Sequence, residues 1–223
     1  MKNKISVPRL LINFKNYKNS TGFNALKLAN LIEKVSIQKN FVIGICVNAL
    51  ELKDVLRKVN IPVFLQHCDY NSFGAHTGAI VPELVKESLA SGVLLNHIEK
   101  KLSEDVLIKT VQRCKSIGLK TLICVENIEM IKKILSFSPD MLLVEHFDSL
   151  GSCVSITEKM PDFIKERAEL IGRDNFMIGA GISKGTHIKK ALKMGAYGVI
   201  VSSSVVNAKS QKEKLIELVD AFI

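Results

Sequence analysis

The sequence has no tryptophan, few prolines and no closely spaced pair of cysteines. Five cysteines are spread over 223 residues without a C-x-x-C spacing, so a zinc site is not expected. Their odd number, and an N-terminus that we interpret as a strand rather than a signal peptide, indicate reduced thiols in a cytoplasmic protein. No apolar run approaches the roughly 18 residues of a membrane-spanning helix, and no membrane partner is expected.

The amino-acid balance is that of a globular protein with a basic surface. Hydrophobic residues make up 47% of the chain and charged residues 24%, and the formal net charge is +9. The basic excess favours a lysine-rich solvated surface, and attraction of an anionic ligand such as a phosphate ester is the alternative. Nucleic-acid binding is not expected, because no motif that combines aromatic and basic residues accompanies the charge.

Short runs rich in β-branched residues alternate with amphipathic stretches over the whole chain. The runs are apolar at consecutive positions, which is typical of strands buried on both faces of a parallel sheet. Strands are predicted at residues 9–13, 41–45, 63–66, 92–95, 120–124, 141–144, 176–179 and 198–201. Helices are predicted at residues 23–35, 103–116, 127–135, 184–194 and 212–222, with Ser103 as an N-cap.

Eight alternating units favour an α/β fold in which a single domain, residues 1–223, forms a (β/α)₈ TIM barrel. The repeat is about 28 residues, the size of one βα unit, and the chain length lies near the lower end for this barrel. An open doubly wound sheet is the main rival, but it usually has a glycine-rich turn after its first strand. Residues 13–17 contain no glycine.

Chemically capable side chains follow several of the predicted strands. Asn13 and Lys15 close the first strand, His97 follows the fourth and Glu145 follows the sixth. Because the active site of such a barrel lies at the carboxyl ends of its strands, these side chains can meet although they are far apart in sequence. Each of them alone has an ordinary structural explanation, and only their coincidence at one rim indicates a site.

Small residues follow the seventh and eighth strands. Gly179, Gly181, Ser202 and Ser203 leave the backbone accessible, so that its N–H groups can point at an anion. Loops at this position of the barrel commonly bind phosphate. We therefore expect a small phosphorylated ligand at this side of the rim.

The order of these motifs resembles that of the triosephosphate isomerases, in their short archaeal form. The resemblance covers nearly the whole chain and rests on Asn13-Phe14-Lys15, Gln66-His67-Cys68-Asp69, Gly74-Ala75-His76-Thr77-Gly78, Leu95-Asn96-His97, Val144-Glu145, Gly179-Ala180-Gly181-Ile182-Ser183 and Val201-Ser202-Ser203. It implies an enzyme of glycolysis and gluconeogenesis. That enzyme interconverts glyceraldehyde 3-phosphate and dihydroxyacetone phosphate through an enediolate, without a cofactor or metal.

The resemblance also implies a role for each matching position. Glu145 is expected to be the base and His97 a neutral electrophile, the pattern for which this family is the standard case. Asn13 and Lys15 are expected to bind substrate under a lid at residues 146–155. The phosphate is expected near the backbone of Leu150, Gly151, Gly181, Ser202 and Ser203. The loop at residues 67–78 is expected to enter a neighbouring subunit of a homo-oligomer, either a dimer or a tetramer.

Several positions depart from the family pattern. Ile98 stands where a serine usually contacts the base, which leaves the resting position of Glu145 open. His146 follows the base where a proline is common, and Cys153 replaces a lid glycine. Ser204 also replaces a glycine and would be strained if the backbone there requires a positive φ. These departures keep two alternatives open: an isomerase of a larger phosphorylated sugar, and a catalytically weakened paralogue that binds a phosphorylated ligand.

Overall fold

The computed structural model describes residues 7–146 and 155–223, and its eight parallel strands form a closed barrel. The strands pair in chain order, and the eighth pairs with the first, which confirms the predicted fold class. The strands are β1 (Leu10–Asn13), β2 (Ile43–Val47), β3 (Val63–Leu65), β4 (Gly92–Leu95), β5 (Thr121–Val125), β6 (Met141–Val144), β7 (Phe176–Ile178) and β8 (Gly198–Val201).

Helices follow the strands and surround the barrel. They are α1 (Phe23–Gln38), α2 (Leu52–Lys58), α3 (Pro82–Glu87), α4 (Glu104–Ser116), α5 (Ile128–Leu135), α6 (Ile156–Lys159), α7 (Pro161–Ile171), α8 (Gly185–Lys193), α9 (Ser203–Val206) and α10 (Gln211–Val219). Ser103 occupies the N-cap position of α4 as predicted, although its side chain makes no capping hydrogen bond. In the described part of the chain, no helix is long and apolar enough to cross a membrane.

The predicted boundaries are wrong where α1 passes into β2. The helix continues to Gln38, beyond the predicted end at residue 35. The Phe41 N–H then donates to the Ser36 carbonyl at 3.0 Å, and the Ser36 hydroxyl donates to the Phe41 carbonyl at 2.6 Å. These bonds keep Phe41 at the end of the helix, so that β2 begins only at Ile43.

The strands are buried on both faces, as their consecutive apolar residues predict. Leu11 of β1 packs in the barrel interior with Phe64 and Leu143. Its neighbours Leu10 and Ile12 belong to the second apolar layer, which lies between the strands and the surrounding helices. Alternate residues of one strand therefore pack into two apolar layers, one inside the barrel and one under the helices. Because both faces of the strand are buried, polar residues are disfavoured on either face.

Closure of the barrel places the last strand beside the first. Val199 N–H donates to the Arg9 carbonyl at 2.8 Å, and Ile12 lies opposite Val201 in the register. Gly198 permits this approach, since a Cβ there would overlap the backbone of Arg9. The residues that follow β1 and β8 consequently lie side by side at one rim.

Candidate active site

His97 lies two residues after the end of β4, where it caps a single 3₁₀ turn at Ile98–Lys100. Its Nδ1 accepts a hydrogen bond from the Glu99 backbone N–H at 3.2 Å, so the proton of the neutral ring is on Nε2. The residue is 6% exposed. Burial, assisted by the nearby Lys15 ammonium, lowers the pKa of His97 to about 4. At neutral pH the ring is therefore an uncharged N–H donor.

Glu145 follows β6, and its carboxyl group faces His97. Its Oε2 lies 3.7 Å from His97 Nε2 and has no hydrogen-bond partner among the described residues. Burial raises the pKa of Glu145 to about 7, while Lys15 and a hydrogen bond with the Cys124 thiol act in the opposite direction. A buried carboxyl group with a pKa near neutrality can take up and return a proton.

Lys15 is held in place by polar residues at the carboxyl ends of β1 and β3. The Asn13 Oδ1 accepts from the Lys15 backbone N–H at 3.0 Å and from Gln66 Nε2 at 3.1 Å. These bonds fix a backbone turn in which Lys15 has a φ of 47°. The Lys15 ammonium donates to Glu99 Oε1 at 2.7 Å, so a positive charge stands at the cavity that His97 lines.

The opposite side of the cavity consists of the turns after β7 and β8. Ala180 and Gly181 both have a φ of 69°, which turns the chain sharply after β7. The Ser204 hydroxyl donates to the Ile182 carbonyl at 3.1 Å and thereby joins the two turns. The Ser202 Oγ is buried and has no hydrogen-bond partner in residues 7–146 and 155–223. On this side of the cavity the turns after β7 and β8 are therefore linked by a hydrogen bond, and the Ser202 hydroxyl is left without a partner among the described residues.

One cavity of about 630 Å³ unites these groups. The predicted site residues that line it are Asn13, Lys15, His97, Glu145, Gly181, Ser202 and Ser203. The other two, Leu150 and Gly151, lie outside the described residues, as does most of the expected lid at residues 146–155. The arrangement can remove a proton from a small ligand, donate a hydrogen bond to it and neutralise a negative charge on it.

Two residues of the site, Gln66 and Glu99, were given no role by the sequence analysis, and a third, Gly179, was expected only to leave the backbone open to an anion. Gln66 holds Asn13, and it could have been found by the same rule, since it is a polar residue directly after a buried strand. Glu99 donates a backbone hydrogen bond to His97 and accepts one from Lys15. Gly179 leaves room for the base, because a Cβ there would overlap Oε1 of Glu145. No sequence pattern reports that requirement.

Two departures from the family pattern have a structural outcome. Ile98 borders a small cavity that Cys124 and Glu145 also line, and the carboxyl group of Glu145 faces His97. Ser204 lies within helix α9 rather than at a positive φ, so the strain considered from the sequence is not present. Cys153 lies outside the described residues.

Comparison with known proteins identifies the family. The sequence profile described as Triosephosphate isomerase matches residues 8–222. A triosephosphate isomerase from Methanocaldococcus jannaschii is 35% identical over 214 residues, which cover 94% of this chain and 98% of that relative. One from Methanothermus fervidus is 37% identical over 216 residues, or 95% of this chain and 97% of the relative.

A solved structure has the same fold. The crystal structure of triosephosphate isomerase from Bartonella henselae superposes with a TM-score of 0.69 at 20% identity, covering 96% of this chain and 97% of that one. The barrel is therefore shared over the full alignment, while the sequence relatives and the profile define the family. The chain belongs to the triosephosphate isomerase family.

Proposed function

We propose that this isomerase interconverts glyceraldehyde 3-phosphate and dihydroxyacetone phosphate with Glu145 as the base and His97 as the electrophile. The observation that supports these roles is the 3.7 Å approach of Glu145 Oε2 to His97 Nε2 within one buried cavity. The carboxylate oxygen is an unused acceptor, and the facing nitrogen is an N–H donor. A substrate carbon and its carbonyl oxygen between them would meet a base and a hydrogen-bond donor together.

The proposed reaction moves one proton between two neighbouring carbons. The Glu145 carboxylate removes a proton from the carbon next to the carbonyl group, and an enediolate develops. The His97 Nε2–H donates to the oxygen on which the charge accumulates, and one such donor is typically worth about 3–4 kcal/mol. The Lys15 ammonium, held by Glu99 while Asn13 fixes the Lys15 backbone, stabilises the same charge. The hydroxyl proton passes from one enediolate oxygen to the other by way of His97, and protonated Glu145 returns its proton to the other carbon, so that a new carbonyl group forms as the old one becomes a hydroxyl group.

The phosphate group of the substrate would bind on the side of β7 and β8. We assign its contacts to the backbone N–H groups of Gly181, Ser202 and Ser203, with Leu150 and Gly151 contributing from the lid segment. The Ser202 hydroxyl, buried and without a partner among the described residues, adds a further donor. Binding the phosphate away from the reacting carbons supplies energy that positions them against Glu145 and His97.

We also propose that the chain forms a homo-oligomer through the loop between β3 and α3. Asp69 closes the base of this loop, since its backbone N–H donates to the Ile80 carbonyl at 2.9 Å and its Oδ2 accepts from the Ile80 N–H at 2.7 Å. Every residue at positions 72–78 is exposed. Another cavity, of about 480 Å³, is also lined by Asn13, Lys15 and His97. A partner loop seated there would support the catalytic side chains.

The free cysteines of the chain support a cytosolic location. In the described ranges all four cysteines, Cys46, Cys68, Cys114 and Cys124, are buried free thiols. Cys68 and Cys114 lie with their sulfur atoms 3.6 Å apart without a disulfide. Such a thiol inventory is typical of a reducing compartment.

The isomerase assay on Glu145→Gln tests the central assignment. We expect the purified chain to interconvert the two triose phosphates, and we expect Glu145→Gln to lower kcat/KM by roughly 10²–10⁴, the usual contribution of a general base. Glu129→Gln, the same change at an exposed position of α5, is the matched control and should retain activity. Wild-type turnover in Glu145→Gln would refute the role of Glu145. A preference for four-carbon keto phosphates would instead support the larger-sugar alternative.

A further inference from the structure

His187 is a buried histidine that the reaction described above does not use. It lies in the first turn of α8 and is 4% exposed. The helix begins directly after the β7 turn, so the imidazole stands behind the backbone that forms the proposed phosphate side of the cavity. A polar ring in this position needs hydrogen-bond partners, and those partners reveal what it holds.

The ring connects the β7 turn to helix α6. Its Nδ1 accepts a hydrogen bond from the Ser183 backbone N–H at 3.3 Å. The proton of the neutral ring is then on Nε2, which lies 3.6 Å from Glu158 Oε2 in α6. Glu158 is held in turn by Lys190, whose ammonium donates to its other oxygen at 2.7 Å. His187 thus lies between a fixed carboxylate and the β7 turn.

Neighbouring contacts tie the same turn to helices α6 and α10. The Ile156 N–H at the start of α6 donates to the Ala180 carbonyl at 3.3 Å. The Lys214 ammonium in α10 donates to the Ser183 carbonyl at 3.1 Å. Ser183 is therefore held at its carbonyl by a lysine and at its N–H by His187. Loss of the imidazole acceptor would leave that N–H without this bond and release one end of the turn.

We propose that His187 is a positioning residue that holds the β7 turn in its phosphate-binding conformation through an acceptor nitrogen, and that it stops doing so when it is protonated. The inference rests on the proposed phosphate site at Gly181, Ser202 and Ser203. It adds to that site a residue that does not touch the substrate. It also makes affinity for the phosphate depend on the protonation of a group behind the cavity.

The electrostatic surroundings keep this ring neutral near pH 7. Burial lowers the pKa of His187, and Lys184 and Lys190 add to that effect, whereas Glu158 and a hydrogen bond with the Gly181 backbone oppose it. Below its pKa both ring nitrogens carry protons, and Nδ1–H would then face the Ser183 N–H. The two donors repel each other, so we expect the turn to loosen and the KM for a phosphorylated substrate to rise as the pH falls.

Two substitutions of equal size test the acceptor. In His187→Asn the amide oxygen stands close to the position of Nδ1 and can accept from Ser183, whereas His187→Leu has the same shape and no acceptor. We expect His187→Leu to raise the KM for triose phosphate about fivefold, the effect of one lost hydrogen bond, with little change in kcat. Turnover of unphosphorylated glyceraldehyde should be unchanged in both variants. His187→Asn should behave like the wild type at pH 7.5.

The pH dependence separates positioning from structural support. As the pH falls from 7.5, KM should rise more in the wild type than in His187→Asn. Both proteins share the ionisation of the substrate phosphate, so the difference between them reports the protonation of His187. The proposal would be overturned if His187→Leu lost as much activity on glyceraldehyde as on triose phosphate. It would also be overturned if the KM of the wild type and that of His187→Asn had the same pH dependence. If His187→Leu does not fold, the comparison of the wild type with His187→Asn still decides.

Binding of inorganic phosphate distinguishes the inference from the proposed function. Calorimetry should give the wild type and His187→Asn similar affinities, with His187→Leu about fivefold weaker. If the three proteins show these phosphate affinities but the wild type has no isomerase activity, the proposed function is refuted and the role of His187 stands. Equal phosphate affinity in all three proteins would refute the role of His187.

Discussion

Burial reverses the usual order of acidity of two residues that face each other. In water a carboxyl group loses its proton before an imidazolium does, and a Glu–His pair would be ionic near pH 5.5. Here the pKa of Glu145 is about 7 and that of His97 about 4. Between these values both side chains are uncharged. The 3.7 Å contact between them is therefore no ion pair, and ionisation of Glu145 produces a base beside a neutral donor.

This order of pKa values predicts a pH profile with one transition near neutrality. We expect kcat/KM to rise with pH through a midpoint close to 7, because the carboxylate form of Glu145 is the active one. His97 should add no transition above pH 5, since its pKa is about 4. The measurement should use unphosphorylated glyceraldehyde, because a phosphate group titrates at about pH 6 and would obscure the result. A midpoint near 4.5 would contradict the prediction.

The sequence identifies some of these residues and not others for a physical reason. Asn13 and Glu145 could be predicted because a polar residue directly after a buried strand has a known position at the rim. The requirement at Gly179 could not, because it depends on where the Glu145 side chain lies across the neighbouring strand. His187 lies on the inward face of an amphipathic helix, where a period of 3.6 residues reports burial and not hydrogen-bond partners.

At the scale of elements, strands were predicted more accurately than helices. Strands buried on both faces have an apolar run that stands out from its surroundings, and the bounds of β4, β6 and β8 were predicted to the residue. Helices α2, α3, α6, α7 and α9 were not predicted. Four of them have seven residues or fewer, too few to establish a helical period, whereas α7 has eleven residues and was missed although it is long enough. The loop between β3 and α3 is the element whose conformation the sequence left most open, although its length predicted a use.

A charge at the tip of that loop should dissociate the proposed oligomer. Phe73 is 57% exposed in the single chain, and an apolar side chain there would be buried against a partner. We expect Phe73→Asp to weaken association by about 2 kcal/mol or more, roughly 30-fold in Kd, and to lower turnover as the protein dissociates. Sedimentation velocity at several protein concentrations measures the change.

The matched control is Leu89→Asp, which places the same charge on another exposed apolar residue. Leu89 is 84% exposed and precedes β4, at the opposite end of the barrel from the site. The Leu89→Asp variant should leave both sedimentation and turnover unchanged. A wild-type chain that sediments as a monomer at micromolar concentration would refute the oligomer, and an unchanged Phe73→Asp oligomer would refute the role of this loop.

At the scale of the whole molecule, the site exists only because the barrel closes. Asn13, His97 and Glu145 follow three different strands, and the phosphate side follows two more. No single segment contains the cavity, so its groups are assembled by the same long-range strand pairing that stabilises the fold. A carboxyl group that closure buries with a raised pKa also lowers the free energy of unfolding whenever it is ionised.

Glu145→Gln should therefore stabilise the protein in alkaline solution while removing its base. The pKa of Glu145 is about 7 in the fold against an ordinary value of 4.5, so its stabilising contribution is complete below pH 4.5 and is lost as the pH rises through 7. The difference corresponds to about 3 kcal/mol at pH 8.5. We expect Glu145→Gln to exceed the wild type by about this free energy of unfolding at pH 8.5, and by little at pH 4.5.

Guanidinium titrations at several pH values and one fixed protein concentration measure this difference, because association would otherwise change the apparent stability. The neutral His97 destabilises the fold in acid, but it is present in both proteins and cancels in the comparison. Glu129→Gln, exposed on α5, is the control for the substitution itself. A difference that is constant with pH, or that grows toward acid, would mean that the Glu145 carboxyl group ionises in the fold as easily as it does in water.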